Sequence, residues 1–332
     1  MSQFPQVINH MPDCFIAIDA GTTNSRAWLV EAGIVRAGHS VSVGVRDTAR
    51  DGHPERLWAG LRGLVDSVRS QSNAQPTLIA AAGMITSVLG LKEVAHVMAP
   101  AGVVELAAER LELQLPEISD LPLVLFPGVR SGAWFPEEDV ESTDLMRGEE
   151  TLCIGLASQR PGKPLTVLNL GSHWKAIQVD FQGRITGSWT TLSGEMLQAV
   201  MTQTILASSV PEGRPAVLDE EWRSRGGEMF SRYGLSRTLF SVRLWEVQAA
   251  SRVTAEQRLA FLVGAMVAEG LDGFRRAGYL TGGSVQLVGS GGIADAWQSL
   301  LAQSGLAVER IDGEATAQAF VSGIGELLRV RM

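Results

Sequence analysis

"CFIAIDAGTTNSRAWLVEAG", residues 14–33, closes an apolar run with an acid and follows it with a turn of small and hydroxylated residues. Phe15 to Ile18 read as a buried strand and Asp19 ends it. Gly21, Thr22, Thr23, Asn24 and Ser25 make a tight turn, and a second apolar strand starts at Arg26. Such a turn suits phosphate handling, because small residues let successive backbone N–H groups converge on an anion. Thr22, Thr23 and Asn24 add side-chain donors. Asp19 is placed to hold Mg²⁺ through water, since that ion takes few carboxylates and keeps much of its hydration. A polar β-turn with a capping aspartate explains the same residues, and the turn alone does not separate the two.

Outward from this hairpin, the same grammar returns about 150 residues later. "LTVLNLGSHWKAIQVDFQGRI" (165–185) is strand, Gly-Ser turn, strand, polar turn. It offers a second anion nest at Gly171, Ser172 and His173, with Lys175 just beyond. A third glycine site, "VGSGGIADAW" (288–297), is a strand whose turn, Gly289 to Gly292 with Ser290, opens a helix, an arrangement that can cradle a nucleotide. It matches neither the P-loop nor the G-x-G-x-x-G pattern.

Between these points strands alternate with helices, which argues for α/β architecture. "PERLWAGLRGLVDSVRS" (54–70) puts Leu57, Leu61, Leu64, Val65 and Val68 on one helical face. "PTLIAAAGMITSVLG" (76–90) is a buried strand entering a small-residue loop, whose Met84 and Ser87 are candidates for substrate contact. "MRGEETLCIGLASQ" (146–159) reads as a loop entering a helix, with Arg147, Glu149 and Glu150 at its start. Acids at a helix N-terminus often serve only the helix dipole. Here the apolar "LCIGLA" that follows sets this start at the protein interior.

Composition narrows the partners. The chain has 332 residues, 45% hydrophobic and 19% charged, enough for roughly two domains with buried cores. Its net charge of −8, with no basic block, argues against nucleic acid and anionic membranes. Cys14 and Cys153 lie in apolar runs without metal-ligand spacing and read as buried thiols of a reducing compartment. No signal peptide or membrane span is evident, so a cytoplasmic protein is expected.

Three phosphate-type turns in this order resemble the actin-like ATPase superfamily of sugar kinases, Hsp70 and actin. "IDAGTTNSRAWL" looks like its first phosphate motif, "NLGSHWKA" its second and "VGSGGIADAW" its adenosine motif. The set "IDAGTTNSRAW", "AAGMITS", "LMRGEET", "GSHWKAIQ", "LSGE" and "GSGG" is similar to the 2-dehydro-3-deoxygalactonokinase family. Departures from the pattern fall at Ala20, at Asn169-Leu170 and at Gln248.

The resemblance implies two ribonuclease-H-like (actin-like ATPase) domains, 14–145 and 146–332 after a leader at 1–13, facing each other across a nucleotide cleft. It implies ATP and Mg²⁺ as cofactors, and a sugar acid phosphorylated on its terminal hydroxyl. Asp19 would anchor the metal, and both hairpin turns would hold phosphates. Gly289 to Gly292 would line the adenosine. In related sugar kinases a Gly-Asp pair opening a helix supplies the catalytic carboxylate. Gly148-Glu149 stands in that place, which makes Glu149 the base and Glu150 the alternative. Arg147 would bind the substrate carboxylate, while Arg26 and Lys175 offset negative charge. The rival readings are a ketose or polyol kinase of the same fold, a non-catalytic nucleotide-binding regulator and a simple ATPase. A homodimer is one assembly left open.

Overall fold

The computed structural model describes residues 12–133, 137, 139–213 and 216–330. Most of the leader read at 1–13 therefore lies outside the described residues. The chain forms two compact units, the first from residues 1–164, 179–188 and 314–332 and the second from 165–178 and 189–313. The sequence drew its boundary between 145 and 146. By packing, the helix that follows 146 and the last helix of the chain both group with the first unit.

The first unit opens with β1 (Cys14–Ala20), β2 (Ser25–Glu31) and β3 (Ile34–Val41), then α1 (Val45–Asp51), α2 (Glu55–Ser70) and β4 (Ile79–Gly83). After these come β5 (Val97–Met98), α3 (Val103–Ala108), β6 (Leu111–Leu113), β7 (Leu123–Leu125), β8 (Val129–Ser131), β9 (Asp144–Met146) and α4 (Glu149–Ser158). The main sheet runs β3-β2-β1-β4-β7-β6, and β5, β8 and β9 form a smaller one. β1 pairs antiparallel with β2 and parallel with β4, so Asp19 sits opposite Ala82 and Ala20 opposite Gly83.

The pattern of side chains explains this arrangement. β1 is buried on both faces from Cys14 to Ile18, as a central strand must be, and reads there as an apolar run. The five apolar residues of α2 named from their spacing are all fully buried in the core beneath the sheet. Each removes a Leu or Val side chain from water, worth about 1.5–3 kcal/mol.

The second sheet holds β10 (Leu165–Leu170), β11 (Trp174–Val179), β12 (Ile185–Thr191), β13 (Ser284–Val288) and β14 (Ala307–Ile311), in the order β12-β11-β10-β13-β14. Its helices are α5 (Ser193–Gln203), α6 (Glu220–Tyr233), α7 (Leu235–Ala249), α8 (Ala255–Arg276) and α9 (Gly291–Gln303). α8 is the central post of this unit, buried from Arg258 to Val267, and Trp174 meets Trp297 edge-on at 5.4 Å in the same core. α10 (Gly313–Arg329) closes the chain in the first unit, where Phe320 packs on Trp28 of β2.

Each sheet begins with the same motif. Three strands consecutive in the chain lie side by side, and a fourth strand is added in parallel to the first. The two hairpins that the sequence set about 150 residues apart occupy equivalent places in the two sheets.

Candidate active site

In the first unit, the ends of β1 and β4 and the start of α4 converge. Asp19 ends its strand, partly exposed, with Arg26 of β2 at 3.7 Å. Its carboxyl is pushed up to about 6 from 3.8, chiefly by burial, with Arg26 drawing it down and Glu149 pushing it up again. The field of Glu149 at Asp19 shows that two carboxylates share this corner.

Gly148 makes the corner. It takes φ of 105°, a conformation side chains avoid, and a Cβ there would press on the Gly83 backbone at 3.2 Å. Glu149 follows, half-buried, as the first residue of α4. Glu150 is different: it is 1% exposed, and both of its oxygens accept from the Gly148 N–H, at 2.8 and 2.7 Å. Its carboxylate caps its own helix start.

Arg147 turns inward. Nη1 donates to Thr86 Oγ1 at 2.8 Å, and Nη2 donates to Val94 O at 2.9 Å and lies 3.3 Å from His96 Nδ1. Burial pulls this guanidinium below its ordinary range, while Glu150 and Glu93 oppose the shift. Met84 and Ser87 belong to the loop so contacted. The Ser87 hydroxyl donates to Met84 O.

The Gly21–Asn24 turn is tight, closed by Gly21 N–H donating to Asn24 O, and leaves Thr23 and Asn24 exposed. Ser25 is the structural hydroxyl of the group, buried and donating to Val43 O at 2.8 Å. The turn is held from behind by Gly44, just before α1. A Cβ at Gly44 would lie 2.5 Å from Thr22 O, and Val45 and Arg46 N–H donate to Gly21 O and Thr22 O.

The second unit repeats the device. Gly194, in the first turn of α5, backs onto the Gly171–Ser172 turn so closely that a Cβ would lie 2.4 Å from Ser172 O. Ser172 Oγ lies 3.2 Å from His173 Nδ1, and His173 Nε2 lies 3.9 Å from Glu195. Lys175 is a buried residue of β11, 4% exposed. Beside the turn is a small recess, lined by Leu170, Gly171, Trp174, Gly194, Gln198, Ser290 and others. The glycine turn at Gly289, Ser290, Gly291 and Gly292 leads into α9. Arg310 steadies that turn by donating to Gly289 O at 2.9 Å, and it also holds Asp295.

The structure thus groups Asp19, Gly21 to Asn24, Arg26, Met84, Ser87, Arg147, Glu149 and Glu150 in one unit. In the other, Gly171 and Ser290 line one recess, Ser172 and His173 complete the first turn, Gly289, Gly291 and Gly292 the second, and Lys175 lies on the adjoining strand. Sequence reasoning missed Val94 and His96, two partners of Arg147, and the two backing glycines, and it placed Thr86 within the "AAGMITS" stretch without linking it to Arg147. The glycines had a signal: the same 23-residue interval separates Gly21 from Gly44 and Gly171 from Gly194. Val94 and His96 had none, because nothing local marks a residue chosen by a side chain some fifty positions away.

Two sheets of matching order, each opening with a glycine-turned hairpin, have the order of the actin-like ATPase fold. A family model described as 2-keto-3-deoxy-galactonokinase matches residues 19–325, and the chain belongs to that family. It is therefore a kinase, a phosphotransferase of carbohydrate metabolism.

Relatives agree with this. The 2-dehydro-3-deoxygalactonokinase of Escherichia coli (strain K12) is 25% identical over 315 residues, 93% of this chain and 97% of its own. A chain of Rhizobium meliloti (strain 1021), provisionally named 2-dehydro-3-deoxygalactonokinase DgoK1, is 28% identical over 319 residues, 93% of this chain and 95% of its own. The crystal structure of a candidate 2-dehydro-3-deoxygalactonokinase from Sinorhizobium meliloti superimposes with a TM-score of 0.76 at 24% identity, covering 93% of this chain and 95% of that one. No helix among the described residues is long and apolar enough to cross a membrane.

Proposed function

We propose that this chain moves the γ-phosphoryl group of ATP to the terminal (6-) hydroxyl of 2-dehydro-3-deoxy-D-galactonate. The product is 2-dehydro-3-deoxy-6-phospho-D-galactonate, and the reaction is a cytoplasmic step of galactonate catabolism. Family membership over residues 19–325 is the observation that carries the reading. The corner of Asp19 and Glu149 supplies groups of the right kind to perform it.

In the transfer, the bond from the γ-phosphorus to the β,γ-bridging oxygen breaks and a bond to the sugar oxygen forms. The proton of that hydroxyl has to leave. Glu149 is the acceptor we assign, because it is half-buried at a helix start and its neighbour Glu150 has both oxygens engaged with Gly148 N–H. Little covalent chemistry is asked of the protein in such reactions, so alignment and charge neutralisation dominate.

The donor set fits magnesium rather than a metal needing a full protein cage. Asp19 is a hard oxygen ligand, partly exposed, and Mg²⁺ takes one or two carboxylates plus waters and phosphates. When bound, the ion offsets charge on the phosphates. Asp19 would hold it, and a carboxyl that titrates near 6 is ionised at neutral pH.

The Thr22, Thr23 and Asn24 side chains of the first turn, and the Gly171-Ser172-His173 turn, suit phosphate oxygens. The recess beside Ser290, with Leu170 on one side and Gln198 for polar contact, is the place we assign to the nucleoside of ATP. Arg26, whose side chain is 54% exposed, is placed to offset a phosphate or the substrate carboxylate. Met84 and Ser87 are assigned to the sugar acid.

A coupled ADP-release assay with a panel of acceptors tests the reading. ADP release that depends on 2-dehydro-3-deoxygalactonate supports it. Preference for a neutral ketose or polyol, or steady ATP loss without any acceptor, would overturn it.

A further inference from the structure

The loop between β4 and β5 carries Met84 and Ser87, and one guanidinium ties it to the corner that presents Glu149. Arg147 reaches this loop at three points, Thr86 Oγ1, Val94 O and His96 Nδ1. Thr86 is the fulcrum. It is wholly buried, accepts from Arg147, and passes its own hydroxyl proton to Gly83 O at 3.0 Å. Its carbonyl also accepts from Val94 N–H at 3.0 Å, which folds the loop back on itself. Gly83 in turn lies against both Gly148 and Asp19. A chain of hydrogen bonds therefore runs from Arg147 through Thr86 to the backbone beside Asp19.

An arginine that clamps a carboxylate presents its fork to solvent, with two parallel N–H groups free to donate. Here three contacts of the guanidinium go to the loop, at Thr86 Oγ1, Val94 O and His96 Nδ1. Partly desolvating a guanidinium is costly unless donors are met, and the buried Thr86 and Val94 meet two of them. A guanidinium so used holds the loop in place.

We propose that Arg147 is a positioning residue: acting through Thr86, it fixes the 84–96 loop against the Gly148–Glu149 corner and so sets the affinity for the sugar acid. This rests on the kinase reading above. The assignment replaces the expectation that Arg147 itself binds the substrate carboxylate, and it gives Thr86 of the "AAGMITS" stretch a role.

The test uses three variants of the full chain, Thr86→Val, Arg147→Ala and the double change. Val keeps the shape of Thr, removes the relay and touches no charge. Thr86→Val is expected to raise KM for the sugar acid roughly tenfold, the effect of losing a charge-assisted hydrogen bond, with KM for ATP unchanged. The double variant should be no worse than Arg147→Ala alone, because the two residues act as one unit.

If Thr86→Val keeps the wild-type KM for the acid while Arg147→Ala loses it, Arg147 is a direct ligand and the proposal falls. It also falls if both variants lose thermal stability but keep both KM values. Should Arg147→Ala not fold, Thr86→Val decides alone. Should the wild type fail to phosphorylate the acid, the substrate reading fails separately. Amide hydrogen exchange over residues 84–96 then judges the loop: faster exchange in Thr86→Val than in wild type sustains the positioning role, and unchanged exchange refutes it.

Discussion

Glu149 and Glu150 are adjacent acids at one helix start, and their surroundings give them different work. Glu150 is sealed against Gly148 N–H and keeps the corner in shape, whereas Glu149 stands half-buried beside Asp19. Glu149→Gln should therefore lower kcat by about 10²–10⁴-fold, the usual worth of a general base, with KM for ATP near that of wild type. Steady-state kinetics on both substrates checks this. Asp19 gives a second residue-scale expectation. Folding raises its carboxyl from 3.8 to about 6, so the folded chain holds that proton more tightly than the unfolded chain between those values. Its contribution to stability is complete below 3.8 and is lost as pH rises through about 6. In metal-free buffer, Asp19→Asn should thus melt above wild type at neutral pH, and the gap should close as the pH falls from about 6 to 3.8. Thermal melts across that range, without and with Mg²⁺, measure it. Added Mg²⁺ should stabilise the wild type at neutral pH and the Asn variant much less.

At the scale of elements, each hairpin turn is braced by a helix start with no room for a side chain. Gly194→Ala would drive a methyl group to 2.4 Å from Ser172 O, so the Gly171–Ser172 turn must shift. Overpacking of this kind costs on the order of 1–3 kcal/mol, and if it falls on the bound state, KM for ATP rises roughly tenfold or more. An ATP titration of the Gly194→Ala variant reads this, and the acceptor KM should move far less. The hairpins themselves were legible because they are local: an apolar run, an acid or amide, a glycine turn and a second run lie within twenty-odd residues. The face of α2 was legible for the same reason, since Leu57, Leu61, Leu64, Val65 and Val68 repeat at helical spacing. Less was visible where distant segments meet. Arg147 was legible as a charge beside a base, whereas its partners come from residues 86 to 96, brought close by β4 and the small sheet. The burial of Ser25 against Val43, eighteen residues on, was equally out of local sight.

The whole molecule repeats one design twice and then specialises each copy. The first unit keeps the carboxylate corner, and the second keeps the recess between the Gly171 turn and α9. With a net charge of −8, long-range attraction does not gather anionic substrates, so local donors must do so. Any ligand that binds only the folded chain stabilises it by about 2.7 kcal/mol at a hundred times its Kd. ATP should accordingly raise Tm in wild type and less so in Gly194→Ala. The family match settles that the chain is a kinase, and its own acceptor remains the central claim. The most direct measurement is ADP release by the purified full chain with Mg²⁺-ATP and 2-dehydro-3-deoxygalactonate, run beside Glu149→Gln. The account predicts turnover that requires the keto-deoxy acid and nearly vanishes in the variant. Turnover with that acid absent, or undiminished turnover by Glu149→Gln, would contradict it.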